Sequence, residues 1–319
     1  GRRAGVDHDA ESRLVLRDRQ KPLPQRLMER EVLGLEAVGH AAAAPRRRAR
    51  EPGLGRQIEH QRQVRHECLG GGQLSEALAA GAIDFGHAAD GIGVFQQASG
   101  KGLVYLAAES PYPGGVGFLV PKDSPIQSVR DLKGKRVATG RGYNTQYTLI
   151  RALEAAGLRY EDVDPVYIVT ASDTVAAFQS GSVAAIGLWD PFLAGAQVAT
   201  DSRLLFDGKG LTANRTYHFA KPEYARAQQD VLKVVFQELQ KTNQWAQANP
   251  GPVVELLAPQ LKVEPRVLAL ATERRQYGVV PVTAEIAKDQ QLLADAFAKI
   301  KLIPKPIEVK DAFLALPIV

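Results

Sequence analysis

The sequence predicts an α/β fold of two similar lobes facing one cleft, and three observations lead there. A helix-turn-strand unit occurs twice, once from Gln73 to His87 with its end near Asp90, and again from Thr174 to Asp190. In each copy a short apolar-periodic helix stops at a glycine, Gly81 or Gly181, which can take the left-handed conformation of a helix C-terminus. A strand follows each glycine and runs out into a polar loop. Elsewhere apolar strands alternate with helices, and ligands of open α/β sheets bind outside the carboxyl ends of strands. Two such units imply two walls of one site, and binding ahead of catalysis.

Composition divides the chain before any motif does. A length of 319 residues allows two cores plus an appendage, and no apolar run approaches the roughly 20 residues of a membrane span. The net charge of +5 resides entirely in residues 1–70, with fourteen Arg and one Lys against ten Asp plus Glu. That segment lacks Phe, Tyr, Trp, Thr and Asn, and holds Met28, Cys68 and four of the six His. Arg-for-Lys bias with Gly, Ala, Pro and His is what a GC-rich gene yields when translated out of frame, so residues 1–72 read as an anomalous Arg-rich segment ending near Gly72. The alternative is a disordered basic arm, with a nucleic-acid-binding tail a distant third; a DNA-binding regulator is disfavoured, because the segment lacks the residues of a winged-helix core and its charge is not patterned on a helix face. One Cys permits no internal disulfide. No apolar h-region with a small-residue cleavage site is legible at the start.

In order after the first copy, Lys101–Ala108 reads as a strand, and Glu109–Gly115 is too rich in Pro and Gly for regular structure. Val116–Val120 is a strand stopped by Pro121. A short helical turn and a buried strand follow over Val129–Ala138. Thr139-Gly140-Arg141-Gly142-Tyr143-Asn144-Thr145 then leads into a helix read over Thr148–Gly157, whose Leu149, Ile150, Leu153 and Ala156 share a face. A strand feeding a glycine loop that opens a helix is a candidate anion seat, because the first N–H groups of a helix are unpaired and its dipole favours negative charge. Val166–Val169 is a further strand, and after the second copy Arg203–Phe206 and Arg215–Ala220 flank a return crossing. From Pro222 onward helices are expected to dominate: a long one through Val231, Phe236 and Trp245 that stops before Pro250, then Pro252–Leu257, Pro265–Arg274 and Ala284–Ile300.

Taken together, the first repeat, Leu119-Val120-Pro121-Lys122-Asp123-Ser124-Pro125-Ile126, Asp131-Leu132-Lys133-Gly134-Lys135, Arg151–Leu158, Trp189-Asp190-Pro191-Phe192 and Arg274-Arg275-Gln276-Tyr277-Gly278 resemble the aliphatic sulfonate-binding proteins of ABC importers. The resemblance covers about 73 to 313. It implies a two-lobed periplasmic-binding-protein-like fold of type II, two α/β domains joined by two hinge crossings, with residues 73–111 plus 212–319 as one lobe and 112–211 as the other. It also implies a periplasmic, monomeric receptor that captures an organosulfonate, delivers it to an inner-membrane permease, and needs no cofactor or metal. The family's export signal, opening strand and Ile-Gly-Tyr-Gln loop are not readable before Gln73.

Carried over by position, the ligand contacts are His87, Ala88, Ala89 and Asp90 after the first repeat, Gly114 and Gly115 beside the crossing, and Tyr143, Asn144 and Thr145 at the helix start. Trp189, Asp190, Asn214 and Tyr277 complete the shell. Against these stand plain structural readings: Asp190 as a helix N-cap, His87 as solvent-facing, Trp189 as core. Arg141 reads mainly as solvated, and of Arg274 and Arg275 one is read as a structural ion pair and the other as a candidate contact. Nitrate, taurine or a thiamine precursor are same-fold alternatives. An enzyme like the related pyrimidine-precursor synthases is the different-class alternative, disfavoured because residues 73–319 hold no Cys, only His87 and His218, and no metal-ligand or nucleophile-elbow spacing.

Overall fold

The computed structural model describes residues 74, 76–78, 80 and 82–317. The Arg-rich segment, and Gly81 as the cap of the first copy, lie outside them. In chain order the main elements are β1 (Phe85–Ala89), α1 (Asp90–Ala98), β2 (Val104–Glu109), β3 (Val116–Pro121), β4 (Arg136–Thr139), α2 (Asn144–Ala155), β5 (Asp164–Tyr167), α3 (Ala171–Gln179) and β6 (Ala185–Trp189). They continue with α4 (Phe192–Ala199), β7 (Ser202–Asp207), β8 (Thr216–Ala220), α5 (Pro222–Ala227), α6 (Gln229–Ala248), α7 (Pro250–Leu261), α8 (Pro265–Arg274), β9 (Val279–Pro281) and α9 (Ala284–Lys299).

These form two sheets. The first has the order β1-β8-β2-β9 and is antiparallel throughout; the second has the order β5-β4-β6-β3-β7, with β4 parallel to both β5 and β6. The chain passes from the first sheet to the second between β2 and β3, and returns between β7 and β8. This is the expected two-lobed α/β architecture with two crossings.

Each sheet is covered by helices that bury apolar faces. Around the first, Tyr105, Tyr217 and Phe219 of the strands pack with Leu293 and Phe297 of α9 and Val94 of α1, all under 2 % exposed. Beneath the second, Phe118 and Val137 meet Leu149 and Leu153 of α2, each fully buried. Burial of side chains of this size stabilises by about 1.5–3 kcal/mol apiece.

The second repeat forms as read. Helix α3 is capped at its start by the Thr170 hydroxyl, which accepts from the Asp173 N–H; Gly181 follows its end at φ +70°, and β6 runs to Trp189. Four readings are corrected. The first repeat does not end in a loop, because α1 begins directly at Asp90. Helix α2 starts at Asn144, four residues early, since the Asn144 side chain accepts from the Thr145 N–H and stabilises the first turn. The segment where helices were expected to dominate also contains an unread strand, β9, which pairs with β2 through Ala107–Pro281, Ala108–Val280 and Glu109–Val279. Helix α7 runs past Leu257 to Leu261 with Pro259 inside, close enough to the C-terminal end that only the last turn loses a donor.

Candidate functional site

The two crossings meet the second lobe through a chain of polar groups. Asn214, at φ +46° on the return crossing, donates its Nδ2 to the Tyr112 carbonyl at 2.6 Å and accepts from Asn144 Nδ2 at 2.8 Å. Asparagine is one of the few residues besides glycine that enter this left-handed region, and its amide is held there by the two long-range bonds. From Tyr112 the hydroxyl donates to Asp190 Oδ2 at 2.7 Å and lies 2.8 Å from the Ala271 carbonyl. Asp190 also accepts from the Ala194 N–H at 3.0 Å and pairs with Arg274 at 3.2 Å, while its own N–H donates to the Gly115 carbonyl at 2.8 Å. Asp190 thus caps the start of α4 and ties it to the end of α8. Burial pushes its carboxyl up, against the opposing pull of Arg274 and Tyr112.

In the anion seat read from sequence, the N–H groups of Gly140, Gly142 and Thr145 have side-chain partners. Thr145 Oγ1 takes the Thr139 hydroxyl at 2.9 Å and the Gly140 N–H at 3.3 Å, and Gln146 Oε1 accepts from the Gly142 N–H at 2.6 Å. Gly142 sits at φ +79° against the Phe95 ring, and a side-chain carbon on Gly91 would lie 2.6 Å from the Gly142 carbonyl. The start of α1 and the loop before α2 therefore touch backbone to backbone, which only glycine permits. Tyr143 packs edge-on to Trp189, ring centroids 5.5 Å apart, and Trp189 in turn on Phe192.

Of the thirteen residues named from sequence, five line one of two cavities and eight line neither. His87, Asp190 and Tyr277 line a cavity of about 60 Å³ together with Glu109, Tyr112, Asn243 and Arg275. Asp90 and Asn214 line another of about 270 Å³ with Tyr147, Thr212, Arg215 and Gln290. Gly114 and Gly115 form a helical turn before β3, Ala88 and Ala89 belong to β1, and Asn144 reaches the larger cavity's rim through Asn214. Arg141 lies over the Tyr167 ring at 5.9 Å. Both Arg274 and Arg275 are in ion pairs, the second with Glu109 Oε2 at 2.8 Å.

Asp90 is 4 % exposed, its Oδ1 accepts from the Gly91 N–H at 2.8 Å, and burial raises its pKa from 3.8 to about 7 against the pull of backbone N–H groups. In Arg215, Nη1 donates to the Glu109 carbonyl at 2.8 Å, whereas the buried Nε has no protein partner; the same holds for the Thr212 hydroxyl. Neither residue was singled out from sequence. Their only signal was position, on a return crossing between two strands. Glu109 had a clearer one, a carboxylate closing the apolar run Val104–Ala108. Burial alone would raise it, but His87, His218 and Arg275 together hold its carboxyl well below the usual range.

Residues 69–252 match the model of the family described as NMT1/THI5-like. A relative from Escherichia coli (strain K12), named for binding aliphatic sulfonates, is 35 % identical over 246 residues, covering 77 % of each chain. The chain belongs to this sulfonate-binding family. Among solved family members, the periplasmic aliphatic sulphonate binding protein SsuA from Escherichia coli superposes with a TM-score of 0.75 at 33 % identity, covering 79 % of this chain and 82 % of that one. The alkanesulfonate-binding protein SsuA from Xanthomonas axonopodis pv. citri bound to MOPS gives 0.71 at 32 % identity, covering 77 % and 85 %. Among the described residues of this family member no helix is long and apolar enough to cross a membrane.

Proposed function

We propose that this protein captures an aliphatic sulfonate between its lobes and delivers it to the membrane permease of an ABC importer, acting in the periplasm as a monomer and without chemical turnover. Family membership supports the class of ligand, and the carrying observation in the site is the pair of unpartnered buried donors, Arg215 Nε and Thr212 Oγ1, lining the larger cavity. A sulfonate is a permanent monoanion with three acceptor oxygens. It suits such donors, because an ionised partner strengthens each hydrogen bond. The cavity, about 270 Å³, is near the lower end of small-molecule sites and fits a short alkyl chain. Asp90 on its wall is compatible with an anion while it keeps its proton. Asn144 and Asn214 act as neutral donors bridging the lobes, and Leu211, Leu292 and Leu293 of the cavity wall offer apolar surface to the alkyl part, in place of the Trp189 and Tyr277 expected from the resemblance. The lobe boundaries at 111/112 and 211/212 follow the two crossings, so closure swings one sheet against the other.

Titration calorimetry near pH 6 with short alkanesulfonates, taurine, nitrate and sulfate tests the reading. Sulfonates are expected to bind at micromolar or better affinity, and Arg215→Met to weaken them at least tenfold. Heat with nitrate or sulfate alone would assign an inorganic anion on the same fold, heat with taurine alone would narrow the ligand to a short aminosulfonate, and silence with every sulfonate would sink the proposal.

A further inference from the structure

Three strands of the first sheet bring His87, Glu109 and His218 together. His87 of β1 and His218 of β8 are register partners with ring centroids 4.9 Å apart, and Glu109 ends β2 on the other side of β8. Glu109 Oε1 lies 3.2 Å from His87 Nε2 and 3.7 Å from His218 Nε2, and one ligand atom from each of the three residues falls within 4.8 Å of the others. His218 is fully buried between Phe85, stacked at 5.5 Å, and Phe236, edge-on at 5.2 Å, yet neither of its ring nitrogens has a hydrogen-bond partner. Leaving a buried polar group unpaired is unfavourable, so such groups call for an explanation. An alternative use of that position as plain core would be better served by an apolar ring.

We propose that His87 Nε2, His218 Nε2 and Glu109 Oε1 form a binding site for a divalent cation of the zinc class, with a fourth position open to water in the adjoining small cavity. Two imidazoles and one carboxylate are a donor set that zinc accepts, and four-coordination with three protein ligands leaves one place for solvent. Tetrahedral zinc at ordinary bond lengths sets its donors about 3.3–3.5 Å apart, against the 3.2 and 3.7 Å seen here. Arg275 engages Glu109 Oε2, the oxygen not used, and so fixes the carboxylate with Oε1 toward the imidazoles. Thr216 Oγ1, 2.9 Å from His87 Nε2, is the neighbour that must yield to the ion. The cavity beside His87 and Glu109, about 60 Å³, has room for a bound water, and the unpartnered Nδ2 of Asn243 on its wall is available to hold one. The site braces β1, β2 and β8, and it stands independently of which anion the larger cavity takes.

Full-length protein stripped with a chelator is titrated with Zn²⁺ by calorimetry and checked by elemental analysis, with Co²⁺ substitution read by visible absorption. Wild type should bind zinc at the cluster, show the intense bands of tetrahedral Co²⁺, and gain thermal stability with Zn²⁺. His218→Gln and Glu109→Gln should weaken zinc at least tenfold and abolish the cobalt bands. Should His218→Gln fail to fold, the partly exposed His87→Ala, verified by circular dichroism, carries the same expectation. Residues 1–70 also hold four His and Cys68; undiminished zinc affinity and cobalt bands in His87→Ala would place the metal there and overturn the proposal. So would absence of zinc binding by folded wild type.

Discussion

Replacing Asp90 by Asn is expected to stabilise the folded protein by up to about 4 kcal/mol near pH 8 and to leave it nearly unchanged near pH 4, because burial raises the carboxyl from 3.8 to about 7. The sign follows from linkage. Unfolded, the carboxyl loses its proton around 3.8; folded, burial retains it to about 7. Between those values the native state binds more protons than the unfolded state, so stability falls as pH rises through that window and levels off above it. Asn keeps the acceptor for the Gly91 N–H and carries no charge. Urea denaturation of wild type and variant across pH 4–9 reads the effect directly, and parallel curves at all pH values would refute it. The same group should control the ligand: sulfonate affinity in wild type is expected to fall above pH 7, where an ionised Asp90 faces the anion, and to stay flat in the variant.

Arg274→Met is expected to destabilise the protein by about 3–5 kcal/mol near pH 8, the usual consequence of leaving one partner of a buried ion pair uncompensated. Arg274 and Asp190 side chains are only 17 % and 2 % exposed, and Arg274 also bonds Gln197 of α4. The loss should shrink in acid, because Asp190 has a raised pKa and its protonated form needs no cation. Adding Asp190→Asn should recover part of the stability. A double-mutant cycle in urea at two pH values measures the coupling, and strict additivity would show that the pair contributes nothing beyond its separate contacts.

The parts of this fold legible in the sequence are those specified locally. Gly181 and Gly157 mark helix ends at φ +70° and +76°, the apolar face of α2 is periodic, and β6 is a short buried run that ends at Trp189. Strand β9 escaped because three residues between helices carry no alternation, and it is a strand only because β2 offers an unpaired edge. The first turn of α2 is not legible in the sequence because it is held by one side chain, Asn144, and not by an apolar pattern. For the site, sequence named Asp190 and Asn214 but not what engages them, since Tyr112 and Arg274 stand 78 and 84 residues from Asp190. The His87–Glu109–His218 cluster was invisible for the same reason. Metal-ligand motifs are recognised by short spacing, and these ligands come from three strands joined only by pairing.

The second sheet is drawn from one unbroken stretch, Val116 to Asp207, whereas the first is not complete until Val279–Pro281. As the chain is synthesised, the lobe containing β3 to β7 has all its strands while β1 and β2 still wait for β8 and β9. Closing that long loop delays the first sheet further, because distant contacts must form before they repay the lost chain entropy. Pulse-labelling hydrogen exchange during refolding should therefore find the amides of β4 and β6 protected before those of β1 and β2. The half of the molecule that finishes last is also the half that carries the buried carboxyl of Asp90, so the cleft has only one finished wall until the chain is nearly complete.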